Sequence, residues 1–245
     1  MLSPSLQLTI AKQLRSAGSL SAFLLGSLCL AFYLEAVSSY LLLNDVKKGV
    51  DFFDWLYKFA PTPVPDVAGF LAHARRYYLE EALAFKIHVA GNSSALLVGI
   101  VQLWQGSRGA RLETVHKRLA WVYVWGLAVG TSAGMYLSLN TYGGPTAKTG
   151  LFCMGVANIA VLATAVLHIK SGDVEGHEEW MWRSYILLAC SSVGYRAGWL
   201  LLGGLAQGHG YVIGSWASWG MGLLAADVFL GLRRWTARRL AYKSQ

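Results

Sequence analysis

Three histidines lie beside the ends of long apolar segments, where an imidazole ring is able to hold a metal. They are His116, His168 and His177. Two neutral imidazoles on facing helices supply both axial ligands of a b-type haem. We therefore predict that His116 and His177 bind haem b, with His168 as a third candidate ligand. The same pair, joined by Glu178 or Glu179, equally suits a non-haem metal ion, and a chain without any cofactor is the third interpretation.

Two charged residues near these histidines would assist such a site. We expect Asp227 to accept a hydrogen bond from an imidazole N–H, which would fix the tautomer of a ligating ring. Arg183 or Arg196 is a candidate partner for a haem propionate, and His88 is a further candidate for cofactor binding. His116 also begins a helical face of small or polar residues, as expected for contact between helices in lipid: Ala120, Tyr123, Leu127, Thr131, Gly134 and Ser138.

A second set of polar side chains lies nearer the opposite ends of the apolar segments. His88 and Asn92 are one helical turn apart, and Tyr195 and Arg196 lie inside a later apolar segment. An arginine buried in lipid needs a counter-charge, and Glu35 is the expected partner of Arg196. One interpretation of these residues is a buried ion pair that fixes the register of the helices. The other is a polar pocket that binds an anionic group, with His88 beside it.

Six apolar segments must position these side chains. A membrane-spanning helix needs about 20 mostly apolar residues, and we predict six such helices, near 17–43, 82–105, 116–139, 149–169, 181–203 and 211–232. The fold class is therefore all-α, an integral membrane bundle that occupies residues 1–245 as a single domain. Only 14% of the chain is charged and 55% is hydrophobic, which argues against a soluble protein.

The distribution of basic residues predicts topology rather than a nucleic-acid partner. The formal charge is +8, and most Lys and Arg lie in short segments that would face the cytoplasm if both termini did. This arrangement predicts that both termini are cytoplasmic, with the lipid bilayer as the main partner. The sizeable segment 44–81 would lie outside the cytoplasm, and its apolar residues near 50–60 predict a short amphipathic helix.

Two short segments resemble a known family. The first is His-Lys-Arg-Leu at 116–119, and the second is His-Glu-Glu-Trp-Met-Trp-Arg-Ser-Tyr at 177–185, with Arg196 further along the same helix. The pattern resembles a mainly bacterial family of multi-span predicted membrane proteins of unknown function. Together with the distribution of Lys and Arg, the resemblance implies a bacterial cytoplasmic (inner) membrane. The resemblance covers about residues 85–200 and departs from the family pattern at Ala120, where Gly is usual. The residues that it singles out are His116, His177, Arg183 and Arg196.

Three hypotheses for the function remain open. The first is a haem-binding redox protein that transfers electrons to a quinone or another membrane partner. The second is a membrane enzyme that acts on a lipid or isoprenoid through acid–base or metal chemistry, with groups from Glu35, His88, Asp227 and the other histidines. The third is a non-catalytic membrane subunit or assembly factor, in which the polar residues only hold helices together.

Overall fold

The described part of the protein is all-helical. The computed structural model describes Ser27, Cys29 and residues 34–60, 64, 66–107, 113–202 and 209–242. Within these residues there are seven α-helices and one π-helical segment, and there is no β-strand. The π-helical segment is Val37–Leu42, and the α-helices are α1 (Val46–Tyr57), α2 (Val67–Glu80), α3 (Ala82–Ser107), α4 (Glu113–Ser138), α5 (Gly144–Lys170), α6 (Val174–Leu202) and α7 (Gly210–Tyr242).

Side-chain caps and glycine define where several helices begin. Asp45 is the N-cap of α1, which starts at Val46. Its side chain accepts a hydrogen bond from the backbone N–H of Lys48 at 3.0 Å. Asp173 caps the start of α6 in the same way, through the N–H of Gly176 at 2.9 Å. Gly143, at φ +94°, turns the chain into α5, a left-handed conformation that glycine adopts without steric cost.

Three helices of the described residues are long and apolar enough to cross a membrane. They are the segments Ala82–Gln102 of α3, Gly144–Lys170, which is all of α5, and Gly210–Thr236 of α7. The segments predicted at 116–139 and 181–203 are also helical, as parts of α4 and α6, but that they span the membrane stays a prediction. The segment predicted at 17–43 lies largely outside the described residues.

Glycines allow α3 and α4 to approach each other at backbone contact. A Cβ added at Gly91 would lie 2.5 Å from the carbonyl oxygen of Gly126 and 2.7 Å from Cα of Gly130. These glycines remove the side chains that would hold the two helices apart, as in other close helix contacts in lipid. The helical face that starts at His116 packs inward here, since Tyr123 and Leu127 are fully buried.

The segment 44–81 contains two helices, α1 and α2, where the sequence predicted one. α2 lies across one end of the bundle, with the buried ring of Phe70 edge-on to Tyr142 and tilted against Tyr211. Tyr142 precedes α5 and Tyr211 begins α7, so α2 bridges the starts of two long helices. We call this end of the bundle the α2 end, and the opposite end the Asp227 end.

Candidate functional site

A cavity lies inside the bundle beneath α2. Its volume is about 140 Å³, and its walls come from α2, α3, α4, α5, α6 and the start of α7. The residues that line it are Phe70, His73, Ala74, Tyr77, Tyr78, Phe85, His88, Asn92, Thr131, Gly134, Met135, Leu137, Ser138, Thr141, Tyr142, Leu151, Met154, Gly155, Asn158, Leu188, Ser191, Ser192 and Tyr211. Five of the six walls belong to different long helices, so the cavity exists only because the whole bundle assembles.

His88 is held against α4 by a backbone hydrogen bond. Its Nδ1–H donates to the carbonyl oxygen of Gly130 at 2.9 Å. That approach depends on glycine, because a Cβ added at Gly134 would lie 2.7 Å from the same Nδ1. With the proton on Nδ1, the lone pair of a neutral ring resides on Nε2. Asn92, one turn later on α3, places its amide nitrogen Nδ2 3.2 Å from Nδ1. With Nδ1 protonated this is a packing contact between two donors, and it shows that the two residues predicted to share a helical face lie side by side.

Three buried polar atoms on the cavity walls lack a hydrogen-bond partner within the described part of the chain. They are Oδ1 of Asn92, Oδ1 of Asn158 and Oγ of Ser191. The three residues are only 5%, 4% and 7% exposed. A buried polar group without a partner costs about 1–3 kcal/mol, so such groups are rare in native proteins unless water or a ligand satisfies them. The cavity walls are therefore chemically incomplete without an occupant.

Sequence reasoning missed two of these three residues. Asn158 and Ser191 lie in the middle of apolar segments on α5 and α6, and neither type is ionisable. An asparagine inside the most apolar candidate span, Gly144–Lys170, was the available signal, because amides are costly in hydrocarbon. Their meeting at one cavity depends on helix packing, which the sequence alone does not display.

Hydrogen bonds fasten α2 over the cavity. The Tyr77 hydroxyl donates to the Leu137 carbonyl at 2.6 Å, and His73 Nε2–H donates to the Asn140 carbonyl at 3.1 Å. Burial lowers the pKa of His73 below its usual value. The Tyr142 hydroxyl donates to Asp66 at 2.6 Å, and burial together with this carboxylate raises the pKa of Tyr142 to about 12. The neutral forms of both rings are therefore the ones that hold α2 in place.

The Asp227 end is built from ion pairs instead. Arg183 Nε donates to Asp227 Oδ1 at 2.8 Å, and the same guanidinium lies 3.7 Å from Glu179 and over the ring of Trp180. A second contact between α6 and α7 joins Arg233 to Glu178 at 2.7 Å. The side chain of Asp227, predicted to accept from an imidazole, is thus engaged by Arg183, the residue predicted to bind a propionate.

The three histidines predicted as ligands all lie toward this Asp227 end. His177 Nδ1–H donates to the carbonyl of Ala165 on α5 at 2.8 Å. His168 Nδ1 is hydrogen-bonded to Asp173 Oδ2 at 2.7 Å. The hydrogen bonds from the Gly176 N–H and from this imidazole lower the pKa of Asp173. The backbone carbonyl of His116 accepts from Gln102, which joins the end of α3 to the start of α4.

The other predicted site residues are Glu35, Tyr195 and Arg196, and among them the structure describes the side chain of Glu35 alone. Glu35 accepts a hydrogen bond from the hydroxyl of Ser39 in the π-helical segment. The side chains of Tyr195 and Arg196 lie outside the described residues, so the predicted pairing of Arg196 with Glu35 stays a prediction. Among the described residues, no three His, Cys, Asp or Glu side chains lie close enough together to hold a metal ion.

Comparison with known proteins gives a family and no relatives of established function. No curated protein and no solved structure matches the chain significantly. The family model described as "Predicted membrane protein (DUF2306)" matches residues 85–230, which include α4, α5, α6 and most of α3 and α7. The resemblance drawn from the His116 and His177 segments is confirmed, and the chain belongs to this family of predicted membrane proteins of unknown function.

Proposed function

We propose that this protein is a membrane enzyme that binds a small, largely apolar molecule in the α2-end cavity and exchanges a proton with it through His88. The cavity is the observation that carries the proposal. It combines an aromatic lining with a few convergent polar groups, as small-molecule sites do. Its position inside a bundle with apolar helices favours a lipid or isoprenoid as the substrate.

His88 is the group best placed for acid–base chemistry. The Gly130 carbonyl engages Nδ1, which sets the tautomer and leaves the lone pair of the neutral ring on Nε2. A neutral imidazole with a fixed tautomer presents one lone pair, and this lone pair is able to accept a proton from a bound molecule and return it. The Gly130 carbonyl thus holds the ring in one orientation against α4, so the proposed base is a fixed side chain.

The binding part of the proposal is tested by extraction. The full-length protein would be purified in lipid nanodiscs and extracted with organic solvent, and the neutral lipids would be measured by mass spectrometry. Ser191→Leu projects a larger side chain into the cavity and should reduce the retained compound at least about tenfold, since it removes the space that the ligand needs. Ser94→Leu is the matched control, because Ser94 lies on an exposed face of α3.

The chemical part is tested with His88→Gln. This variant keeps a polar side chain but lacks the proton-exchanging group, so the compound that it retains should be the unconverted substrate, which chromatographic retention and fragmentation distinguish from an isomeric product in the wild type. An identical compound in both proteins would contradict acid–base chemistry at His88. Equal retention by wild type and Ser191→Leu would contradict binding in the cavity and would favour a non-catalytic subunit.

A b-type haem at the Asp227 end is a second candidate function. It is supported by the hydrogen bond from His177 Nδ1 to the Ala165 carbonyl, because ligating histidines donate the other ring N–H in this way. His116 begins α4 toward the same end and would supply the second axial ligand. The haem would exchange electrons with a membrane quinone or another redox partner, and a non-haem metal ion is the alternative occupant.

A visible absorption spectrum tests this second candidate. Haem ligated by two histidines should give a Soret band and a sharp α-band after reduction, and His177→Ala should lose them. His209→Ala is the control, because that exposed ring lies at the start of α7, away from the Asp227 end. A featureless spectrum contradicts haem, and metal analysis of the same sample then decides on a non-haem ion.

We also propose six membrane-spanning helices with both termini in the cytoplasm, in a bacterial inner membrane. The proposal rests on the excess of Lys and Arg in the segments that would face inward. Alkaline phosphatase, which is active only outside the cytoplasm, should be inactive when fused after Tyr242 and active when inserted after Phe59 within the 44–81 segment. The reverse pattern would invert the topology.

A further inference from the structure

The described residues that line the α2-end cavity carry no fixed charge. None of the described residues around it is Asp, Glu, Lys or Arg, and its ionisable groups are two imidazoles and several phenols. A site that holds a phosphate, a carboxylate or an ammonium supplies an opposite charge, because an unpaired ion is very costly inside a protein. The cavity therefore suits a neutral molecule.

The unsatisfied atoms specify what that molecule must offer. The amide of Asn158 is oriented by its own helix, since Nδ2 donates to the Met154 carbonyl at 2.9 Å. The atom that remains without a partner is consequently Oδ1, which only accepts hydrogen bonds. Ser191, on the neighbouring helix α6, adds a buried hydroxyl that both donates and accepts.

We propose that the ligand is a neutral hydroxyl compound, an alcohol or phenol, whose O–H donates to Oδ1 of Asn158. This inference rests on the proposed binding function and names its substrate class. A ketone, an ether or a quinone carbonyl lacks the donor and would leave Oδ1 unpaired. The hydroxyl of Ser191 would donate in turn to the ligand oxygen, so that both buried groups are satisfied by one polar atom.

The size of the cavity matches one ring or one short branched unit. Its volume is about 140 Å³, and a cavity of about 150 Å³ accommodates benzene. The aromatic walls at Phe70, Tyr78 and Phe85 suit a flat or unsaturated head group. A hydroquinone ring and the terminal unit of a prenol both meet these demands.

A matched pair of probes tests the inference. Tritiated para-decylphenol and its methyl ether have the same ring and tail, but only the phenol donates a hydrogen bond. Their equilibrium binding would be measured with the full-length protein in nanodiscs, and empty nanodiscs would give the partition background. The phenol should bind about tenfold more tightly than the ether, since the ether leaves a buried acceptor unpaired.

Variants then locate the donor contact. Asn158→Leu has similar volume and no acceptor, so phenol and ether should bind it equally. Thr164→Val is the matched control on α5, because the Thr164 hydroxyl bonds its own helix at Ala160 and lies outside the cavity lining; it should keep the tenfold preference. Farnesol against its methyl ether repeats the comparison for prenols.

The failures of the two proposals are distinguishable. Equal binding of phenol and ether to the wild type would overturn the hydroxyl inference while the binding function stands. A preference that survives in Asn158→Leu would overturn the assignment of the donor contact to Asn158. Absence of saturable binding by all four probes would overturn both proposals and indicate that water fills the cavity.

Discussion

The two ends of the bundle differ in whether their charged and polar side chains are paired within the protein. At the Asp227 end, Arg183 and Arg233 are paired with acids of the same chain, and the charges neutralise one another between α6 and α7. At the α2 end the cavity lining that the structure describes is uncharged, and Asn92, Asn158 and Ser191 keep atoms without a hydrogen-bond partner among the described residues. Completed polar networks lock helices together, whereas an incomplete one is a place for something else to bind. Under the proposed function, the first end stabilises the packing of α6 on α7 and the second end binds the ligand.

The largest expected effect comes from the contact that shapes the α2 end. Gly91→Ala would place a Cβ 2.5 Å from the Gly126 carbonyl, and backbone atoms cannot turn away as a side chain does. We expect the free energy of unfolding to fall by about 3 kcal/mol, the upper part of the range for overpacking. The His88 hydrogen bond to Gly130 should break as α3 and α4 separate.

Thermal unfolding and decylphenol binding measure this prediction together. Gly220→Ala on α7 is the control, because an added Cβ there meets no atom within 4 Å. Gly91→Ala should lose both stability and binding, while Gly220→Ala should lose neither. A Gly91→Ala protein with wild-type stability would contradict the packing of α3 on α4.

A smaller effect is expected from the Asp227 end. Arg183→Met removes the guanidinium that joins Glu179 and Asp227, and that side chain is 14% exposed whereas the side chain of Asp227 is 60% exposed. We expect a loss of about 1–2 kcal/mol, between the values for exposed and buried pairs. Decylphenol affinity should stay within about twofold of the wild type, since the cavity is at the other end.

Thermal unfolding at low and high salt measures this second prediction. Arg234→Met is the milder control, because Arg234 lies 3.6 Å from Glu179 and is half exposed. A larger loss of decylphenol binding than of stability in Arg183→Met would break the proposed division between the two ends.

The smallest expected effect is acid sensitivity of α2. Burial lowers the pKa of His73, and Arg76 and Lys148 act in the same direction, while the hydrogen bond to the Asn140 carbonyl and the charge of Glu80 oppose it. The folded state therefore binds fewer protons than the unfolded state as the pH falls. The contribution of His73 is fully present above its unfolded pKa of about 6.5 and is lost as the pH falls through the folded value.

Hydrogen–deuterium exchange of α2 measures this third prediction. Protection of α2 should decrease between about pH 7.5 and pH 5.5 after correction for intrinsic exchange. His73→Gln should be independent of pH over the same interval. An equal decrease in that variant would assign the sensitivity to other groups.

The long helices were predictable because their determinant is local. A run of about 20 apolar residues is readable from the sequence, and five of the six predicted segments are helical in α3 to α7. The shared face of His88 and Asn92 was equally readable, since helical periodicity fixes it. The family was identified from the segments that begin at His116 and His177.

The contacts between distant elements were not predictable in this way. Asp227 had several donors within plausible reach, and only the packing of α6 on α7 selects Arg183. α2 was taken for part of a connecting segment, and its position over the bundle depends on rings from three separate elements. The cavity follows from the same packing, so its residues carry no common sequence signature.

α7 is longer than the thickness of the hydrocarbon core of a bilayer. The helix has 33 residues, or about 50 Å at 1.5 Å per residue, while the hydrocarbon core of a bilayer is about 30 Å thick. If α7 crosses the bilayer with Tyr211 beside the cavity, the excess length would extend beyond the lipid at the Asp227 end, with Arg238 and Arg239 exposed on its surface. A small tilt of α7 at the cavity would then become a larger lateral displacement at Tyr242.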